Sequence, residues 1–290
     1  MSREMLLFTD MDGTLLDHHS YSFAPAKEAI AALILMDIPW ILNSSKTLAE
    51  LSELRAQLGQ AHPVIVENGA GIAIPCGYKH SCWRMPDDGL HEQDGFLLKK
   101  TGRSRDDILH LLQPLKAQYR YTGFADMSQA KLSELTGLPA AGVAKAMQRY
   151  FSEPILWQDS QQAYDAFVCQ VEACGLSLLR GGRFIHIMGG ADKGRAMQWL
   201  LAGYRHAGAV PVTVALGDSH NDLAMLKLAD IAVVVRSPVH APPQLPDHPH
   251  LIVTEETGPA GWNRVVLQII HDTRSGSSPV EGSSRGESNE

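Results

Sequence analysis

Two aspartates, separated by a single residue, directly follow the first apolar segment of the chain. Residues 5–9 (MLLFT) have the continuous apolar character of a buried parallel strand, and Asp10 and Asp12 come next. Because alternate side chains of an extended chain point the same way, both carboxylates can face one reacting centre while Met11 points back. One carboxylate can then act as a nucleophile and the other as a proton donor and acceptor. A plain turn or a fragment of a calcium loop would also fit this spacing.

A second group of carboxylates follows another apolar segment, in the sequence GDSHND. Residues 210–216 predict a strand, and Asp218, Asn221 and Asp222 come after it, close to the start of a predicted helix. A helix cap is the common alternative, but a cap needs only one such residue. The four carboxylates of the two groups would repel one another strongly unless a cation lay among them. Oxygen ligands of this kind favour Mg²⁺, which keeps bound water and bridges to a substrate phosphate.

Two further segments carry groups that suit a phosphate. Residues 43–47 (NSSKT) precede a predicted helix, and hydroxyls with backbone N–H groups at such a helix start form an anion site. Lys193 stands at the start of another predicted helix, over residues 192–205. An isolated lysine is usually a solvated surface charge. A role in phosphate binding is favoured here because Lys193 stands at a helix start, near other groups that suit a phosphate. Thr47 and Glu50 have the spacing of a capping box.

These segments lie in an alternating pattern of strands and helices. Strand, helix, strand, helix, strand is typical of a doubly wound α/β fold with a mostly parallel sheet. The predicted strands are at residues 5–9, 38–43, 64–66, 210–216 and 231–235, and the predicted helices at residues 26–36, 47–58, 192–205, 221–228 and 259–270.

The middle of the chain differs in character. Residues 84–183 open with polar, glycine-containing sequence and continue with helical patterns, which predicts a smaller α/β cap domain inserted into the first. Residues 1–83 and 184–272 would form the catalytic core. Residues 273–290 are rich in Ser, Gly and Glu and are predicted to be a disordered tail.

Composition limits the partners of the protein. Asp and Glu number 32 against 25 Lys and Arg, and the net charge of −7 argues against general nucleic-acid binding. No apolar run approaches the length of a membrane span or of a signal peptide, so we expect a cytoplasmic protein with no membrane partner. The four cysteines lack CxxC spacing and indicate reduced thiols rather than a structural zinc site. The sequence gives no oligomeric state.

The four motifs, in this order and in these local settings, resemble those of the haloacid dehalogenase-like phosphohydrolases. The resemblance covers about residues 5–75 and 185–270. It implies that Asp10 is the nucleophile and forms an aspartyl-phosphate, and that Asp12 protonates the leaving oxygen and then activates water. Ser44 and Lys193 would hold the transferring phosphoryl group. The implied Mg²⁺ ligands are Asp10, the backbone carbonyl of Asp12, and Asp218, with Asp222 as a ligand or as a neighbour of one.

The place of the insertion, between the second and third motifs, resembles the Cof-type branch of that superfamily. Several segments also look like those of the mannosyl-3-phosphoglycerate phosphatases: residues 67–70 (ENGA), 123–128 (GFADMS), 134–138 (ELTGL), 149–154 (RYFSEP) and 181–186 (GGRFIH). Such enzymes remove the phosphate from 2-O-mannosyl-3-phosphoglycerate and leave mannosylglycerate. Residues 44–47 (SSKT) depart from the Thr-Gly-Arg common in the branch.

The substrate-binding residues follow from that resemblance. Arg183 is the natural bidentate partner for a glycerate carboxylate, with His186 nearby. Glu67 and Asn68 would bind sugar hydroxyls. Arg183 as a surface residue and His186 as an interior histidine are the competing interpretations. Ser45, Lys46 and Asn221 are also assigned to substrate binding.

Three functions stay open at this point. The first is a Mg²⁺-dependent mannosyl-3-phosphoglycerate phosphatase. The second is a related phosphatase for another sugar phosphate, such as glucosyl-3-phosphoglycerate, because the core motifs contact only the phosphate. The third is a non-catalytic sugar-phosphate sensor, against which the complete set of catalytic residues argues.

Overall fold

The computed structural model describes residues 4–86, 89–181 and 183–275. Its strands are β1 (Met5–Thr9), β2 (Trp40–Asn43), β3 (Val64–Val66), β4 (Gly71–Pro75), β5 (His91–Gln93), β6 (Phe96–Lys100), β7 (Tyr121–Gly123), β8 (Ser152–Trp157), β9 (Ser177–Arg180), β10 (Ile185–Met188), β11 (Val212–Gly217), β12 (Ile231–Arg236) and β13 (Leu251–Thr257). Its α-helices are α1 (Lys27–Leu35), α2 (Leu48–Leu58), α3 (Arg105–Leu112), α4 (Gln129–Thr136), α5 (Ala140–Ala146), α6 (Gln161–Ala173), α7 (Lys193–His206), α8 (Leu223–Leu226) and α9 (Gly258–Ser275).

The chain divides into two compact units. The described residues within 1–40 and 208–290 form the first, which we call the terminal unit, and those within 41–207 form the second, the middle unit. The two are described separately below.

In the terminal unit, four parallel strands lie in the order β13-β12-β11-β1. Every residue of β1 is buried, as are the first five residues of β12, which explains their continuous apolar sequences. Helix α9 packs against β12, β13 and α1. Its Trp262, fully buried, donates from the indole nitrogen to Oγ1 of Thr9 at 3.0 Å and so fixes the end of β1.

In the middle unit, one sheet has the strand order β2-β3-β4-β6-β5. Strands β2 and β3 are parallel, whereas β3, β4, β6 and β5 pair in antiparallel fashion. A second, antiparallel sheet has the order β7-β8-β10-β9. An apolar cluster joins residues of α3 and α6 to strands β8 and β10, and a smaller cluster involves α4 and α5. The predicted α/β class with a mostly parallel sheet is confirmed.

The sheets of the middle unit do not follow the boundaries predicted for the inserted cap. Strands β5 and β6 lie within residues 84–183 but pair with β4, whereas β10, predicted to belong to the core, lies in the four-stranded sheet. The sequence DGF was missed as a hairpin signal: Asp94 and Gly95 have φ of 52° and 79°, as a type I′ turn requires.

The last helix reaches Ser275, three residues into the segment predicted as a tail. The remainder of that segment, residues 276–290, lies outside the described residues. Across the described ranges, every helix is too short or too polar to cross a lipid bilayer. The cytoplasmic location and the lack of a nucleic-acid partner stay predictions of the sequence.

Candidate active site

Asp10 lies at the carboxyl end of β1, where the neighbouring strand β11 also ends. Its backbone N–H donates to the carbonyl of Leu216 at 2.8 Å, and its own carbonyl accepts from Oγ1 of Thr9 at 2.8 Å. The side chain is 6% exposed, whereas Met11 is fully buried. Met11 therefore points into the core, as predicted, whereas the joint orientation of Asp10 and Asp12 toward one reacting centre stays a prediction.

The turn after Asp10 brings the backbone close to Asp218. Gly13 has φ of +84°, and a Cβ at this position would lie 2.5 Å from Oδ2 of Asp218. Thr14 donates from Oγ1 to Oδ1 of the same carboxylate at 3.3 Å. Only glycine combines this backbone conformation with such a close approach, so the turn shapes one wall around Asp218.

Asp222 organises the turn that follows β11. Its Oδ2 accepts from the backbone N–H groups of Asp218 at 3.1 Å and of Ser219 at 3.0 Å. Asp222 is fully buried and Asp218 is 2% exposed. Asn221, in the same turn, is half-buried, and its Oδ1 accepts from Oγ of Ser219.

Three carboxylates converge at this end of the sheet. Asp10, Asp218 and Asp222 each offer one oxygen, and these oxygens lie within 4.8 Å of one another. Buried like charges at this spacing are costly unless a cation lies among them, and carboxylate oxygens are the ligands of hard divalent cations. The donor set therefore fits Mg²⁺. The side chain of Asp12 is half-buried and is not part of this group, so its assignment as a ligand through its backbone carbonyl stays a prediction.

One residue near this cluster was not found from the sequence. Nε2 of His240 lies 3.2 Å from Oδ2 of Asp218, with the imidazole 39% exposed. His240 belongs to the proline-rich segment after β12, which carries three histidines with no ligand-like spacing. No sequence signal distinguishes His240 from the other two.

Ser44 follows β2 in the middle unit. It is fully buried, its N–H donates to the carbonyl of Ile65 at 3.0 Å, and its Oγ accepts from the N–H of Lys46 at 3.2 Å. Thr47 caps α2: its Oγ1 accepts from the N–H of Glu50, whose carboxylate accepts from the N–H of Thr47. The predicted capping box is thereby confirmed.

Lys193 is the first residue of α7, and it is fully buried. Asp192 caps this helix by accepting from the N–H of Arg195 at 2.8 Å. The carbonyl of Lys193 accepts from Nδ2 of Asn43 at 3.3 Å, so the end of β2 and the start of α7 are neighbours. Its burial rules out a solvated surface lysine, which was the alternative interpretation of the sequence.

Glu67 has partners other than the predicted sugar hydroxyls. Its carboxylate, fully buried, accepts from the N–H of Tyr150 at 2.9 Å, the N–H of Phe151 at 3.2 Å and Oγ of Ser152 at 2.6 Å. A carboxylate engaged in this way does not fit direct sugar binding. Asn68 is 3% exposed, and its N–H donates to the carbonyl of Ser44 at 2.8 Å.

Arg183 and His186 lie in different surroundings. Arg183 is exposed, whereas His186 lies on β10 opposite Pro154 of β8. Burial lowers the pKa of His186 to about 3, and the charge of Arg149 acts in the same direction. Its Nδ1 is buried without a hydrogen-bond partner among the described residues. His186 as a whole is half-buried, and the surroundings of its ring favour the neutral form.

Ser45 and Lys46 are half-buried. Both were predicted to bind substrate, and both contact other parts of the middle unit through their carbonyls. The carbonyl of Lys46 accepts from the N–H of Glu67 at 2.9 Å. The carbonyl of Ser45 accepts from both terminal nitrogens of Arg149. Arg149 belongs to the motif at residues 149–154, and nothing in its local sequence shows these distant partners.

Comparison with known proteins shows which family the chain belongs to. The model of the family described as haloacid dehalogenase-like hydrolase matches residues 7–91 and 175–243. A glucosyl-3-phosphoglycerate/mannosyl-3-phosphoglycerate phosphatase of Persephonella marina is 34% identical over 94% of this chain and 99% of its own. One of the same name from Methanococcoides burtonii is 36% identical over 91% of this chain and 97% of its own.

Solved structures share the fold. The crystal structure of Thermoplasma acidophilum 0175 matches with a TM-score of 0.66 at 16% identity, over 92% of this chain and 99% of that one. The chain therefore belongs to the haloacid dehalogenase-like hydrolase family, as its motifs predict, and is a phosphatase of that family.

Proposed function

We propose that the protein is a Mg²⁺-dependent phosphatase that acts through an aspartyl-phosphate on Asp10. The observation that carries this proposal is the convergence of Asp10, Asp218 and Asp222, whose carboxylate oxygens lie within 4.8 Å of one another. Phosphatases of this family generally use a divalent metal, and the all-oxygen donor set favours Mg²⁺ among such metals.

The first half-reaction transfers the phosphoryl group to the protein. A carboxylate oxygen of Asp10 attacks phosphorus, and the bond between phosphorus and the ester oxygen of the substrate breaks. Asp12 gives its proton to that leaving oxygen, so a free alcohol departs. The half-buried position of Asp12 suits a group that exchanges protons with the reacting centre.

The second half-reaction releases phosphate. The carboxylate of Asp12 takes a proton from a water molecule whose oxygen attacks phosphorus. The bond between phosphorus and the Asp10 oxygen then breaks, which regenerates both Asp10 and the protonated Asp12. A Mg²⁺ ion held by Asp10, Asp218 and the carbonyl of Asp12, with Asp222 as ligand or neighbour, would offset charge on the phosphoryl oxygens.

Ser44 and Lys193 are proposed to bind the phosphoryl oxygens. A carboxylate that attacks a phosphate dianion meets like charge, and a nearby ammonium offsets that repulsion. Lys193 is fully buried, so its charge is screened less by water than that of a surface lysine.

The proposed substrate is a sugar 3-phosphoglycerate. Two relatives that match nearly the whole chain are named for both glucosyl- and mannosyl-3-phosphoglycerate. We therefore propose 2-O-mannosyl-3-phosphoglycerate as the first substrate to test and the glucosyl compound as the second. Arg183, Ser45, Lys46, Asn68 and Asn221 remain the proposed binding residues for this substrate, with His186 as a neutral neighbour.

The test is phosphate release from the two compounds, measured side by side with Mg²⁺ and with a chelator. We expect release that needs Mg²⁺ and that chelation abolishes. Equal release in the chelator would overturn the metal assignment. Tight binding of either compound without release would instead identify a sugar-phosphate sensor, and no binding of either would overturn the substrate class.

A further inference from the structure

Glu67 makes two kinds of contact within the middle unit. Through its backbone N–H it donates to the carbonyl of Lys46 at 2.9 Å. Through its carboxylate it receives three donors from residues 150–152, which lead into and begin β8. One residue therefore joins the segment after β2 to a segment more than eighty positions later in the chain.

The backbone at this position is strained. Glu67 and Asn68 are consecutive non-glycine residues with φ of 51° and 58°. The left-handed region is unfavourable for Glu67, less so for an asparagine such as Asn68, and it persists where surrounding contacts hold it. Here the N–H of Glu67 is held by Lys46 and that of Asn68 by Ser44. The strained pair thus directs the Glu67 side chain away from its own loop and toward residues 150–152.

Arg149 completes the same connection from the other side. Its two terminal nitrogens lie 3.4 and 3.3 Å from the carbonyl oxygen of Ser45, and one of them donates to Oγ of Ser152 at 3.0 Å. The guanidinium is 3.7 Å from the carboxylate of Glu67, so the two buried charges offset each other. The segment 149–152 is therefore tied to the segment 44–46 through both Glu67 and Arg149.

We infer that Glu67 is a positioning residue rather than a sugar ligand. Its carboxylate fixes residues 149–152 next to Ser44–Lys46, so a substrate that extends past the phosphate meets a preset surface. This inference rests on the proposed function, in which Ser44 holds the phosphoryl group. It predicts that Glu67 matters for large substrates and not for small phosphate esters, which need only the phosphoryl-binding groups.

The test variant is Glu67→Gln. It keeps the shape of the side chain but replaces one acceptor oxygen by an NH₂ group, which faces the N–H and O–H donors of residues 150–152. Glu153→Gln is the matched control. Glu153 is also a buried carboxylate of the middle unit, but it accepts from the N–H of Ala125 and pairs with Arg105 at 2.7 Å, and both of these partners lie outside residues 44–46 and 149–152.

Two readouts are combined. Amide hydrogen exchange at Tyr150 and Phe151 reports the bonds to Glu67 directly. Steady-state kinetics compare the sugar phosphoglycerate with p-nitrophenyl phosphate. For Glu67→Gln we expect at least tenfold faster exchange at both amides and at least a tenfold loss of kcat/KM for the sugar substrate. The loss for p-nitrophenyl phosphate should stay under threefold.

Several results would overturn the inference. These are unchanged exchange at both amides, equal losses for the two substrates, or the same kinetic split in Glu153→Gln. If the wild-type protein releases phosphate from neither sugar compound, the proposed function fails, and amide exchange alone then decides the positioning role. If Glu67→Gln does not fold, Ser152→Ala removes one of the three donors and is measured in the same way.

Discussion

The carboxylate of Asp222 holds the backbone of Asp218 in place. One oxygen of Asp222 accepts from the N–H groups of Asp218 and Ser219, while Asp222 also offers an oxygen within 4.8 Å of Asp10 and Asp218. Asp222 therefore has two roles: it accepts the hydrogen bonds that hold the turn, and it contributes negative charge to the carboxylate cluster. Substitution by Asn or by Ala can separate the two roles.

We predict that Asp222→Asn weakens Mg²⁺ binding about 10- to 100-fold. Its amide oxygen can still accept the two backbone N–H groups, so the turn stays intact. The loss of one buried negative charge also removes repulsion, so unfolding in metal-free buffer should not shift to lower temperature.

Asp222→Ala, in contrast, should lose about 1–3 kcal/mol of unfolding free energy because two buried N–H groups lose their acceptor. Calorimetric Mg²⁺ titration and thermal unfolding in chelator measure both effects, and unchanged affinity in Asp222→Asn would contradict the electrostatic role.

A substitution at Gly13 should harm Mg²⁺ binding through Asp218. Gly13→Ala forces a positive φ on alanine and also places a Cβ against Oδ2 of Asp218. Gly208→Ala is the control, because Gly208 has φ of +79° with nothing within 4 Å of its Cβ position. Both variants should lose about 1–2 kcal/mol of unfolding free energy from the backbone alone. Only Gly13→Ala should lose Mg²⁺ affinity as well; the same affinity in both variants would show that Asp218 adapts freely.

The carboxylate cluster was predictable from the sequence because its residues are local to strand ends. Asp10 and Asp218 each follow a continuous apolar strand, and the carboxyl ends of adjacent parallel strands bring such residues together. The capping box of Thr47 was also predictable from the sequence, since its partner Glu50 is three residues away. These features depend on periodicity and on short spacings.

The role of Glu67 was not predictable, because its partners lie 83 to 85 positions away in the chain. Its surroundings are set by how the segment after α5 folds back on the loop after β3, and no local pattern encodes that contact. The pairing of β5 and β6 with β4 was missed for a different reason. The turn residues Asp94 and Gly95 lie in the polar, glycine-containing sequence that opens residues 84–183, where the flanking segments have no clear strand pattern.

The half-buried His186, whose Nδ1 is enclosed, should make the protein less stable in mild acid. Its pKa is about 3 in the folded protein, chiefly because of burial, against 6.5 for an ordinary histidine. Between these values the unfolded chain binds a proton that the folded protein does not. The free energy of unfolding therefore falls as pH drops below 6.5, by up to about 1.4 kcal/mol per pH unit from this one group.

The measurement for His186 compares urea unfolding of the wild-type protein and His186→Gln between pH 6.5 and 4.5. Other groups titrate in this range in both proteins, so only the difference in slope is interpreted. The variant should have the shallower dependence on pH. Parallel slopes would mean that His186 takes up its proton in the folded state as readily as in the unfolded chain.

Asp10→Asn should abolish turnover while the protein stays folded. An amide oxygen is a poor nucleophile toward phosphorus, and the acyl-phosphate can no longer form. The variant also removes one of three converging negative charges, so its unfolding temperature in chelator should equal or exceed that of the wild-type protein. Asp247→Asn, at an exposed aspartate, serves as a control for charge alone and should keep full activity. Acid quenching of wild-type protein during turnover, followed by hydroxylamine cleavage at the acyl-phosphate, locates the phosphoryl group. A fully active Asp10→Asn, or a phosphoryl group trapped at another residue, would remove Asp10 from the role of nucleophile.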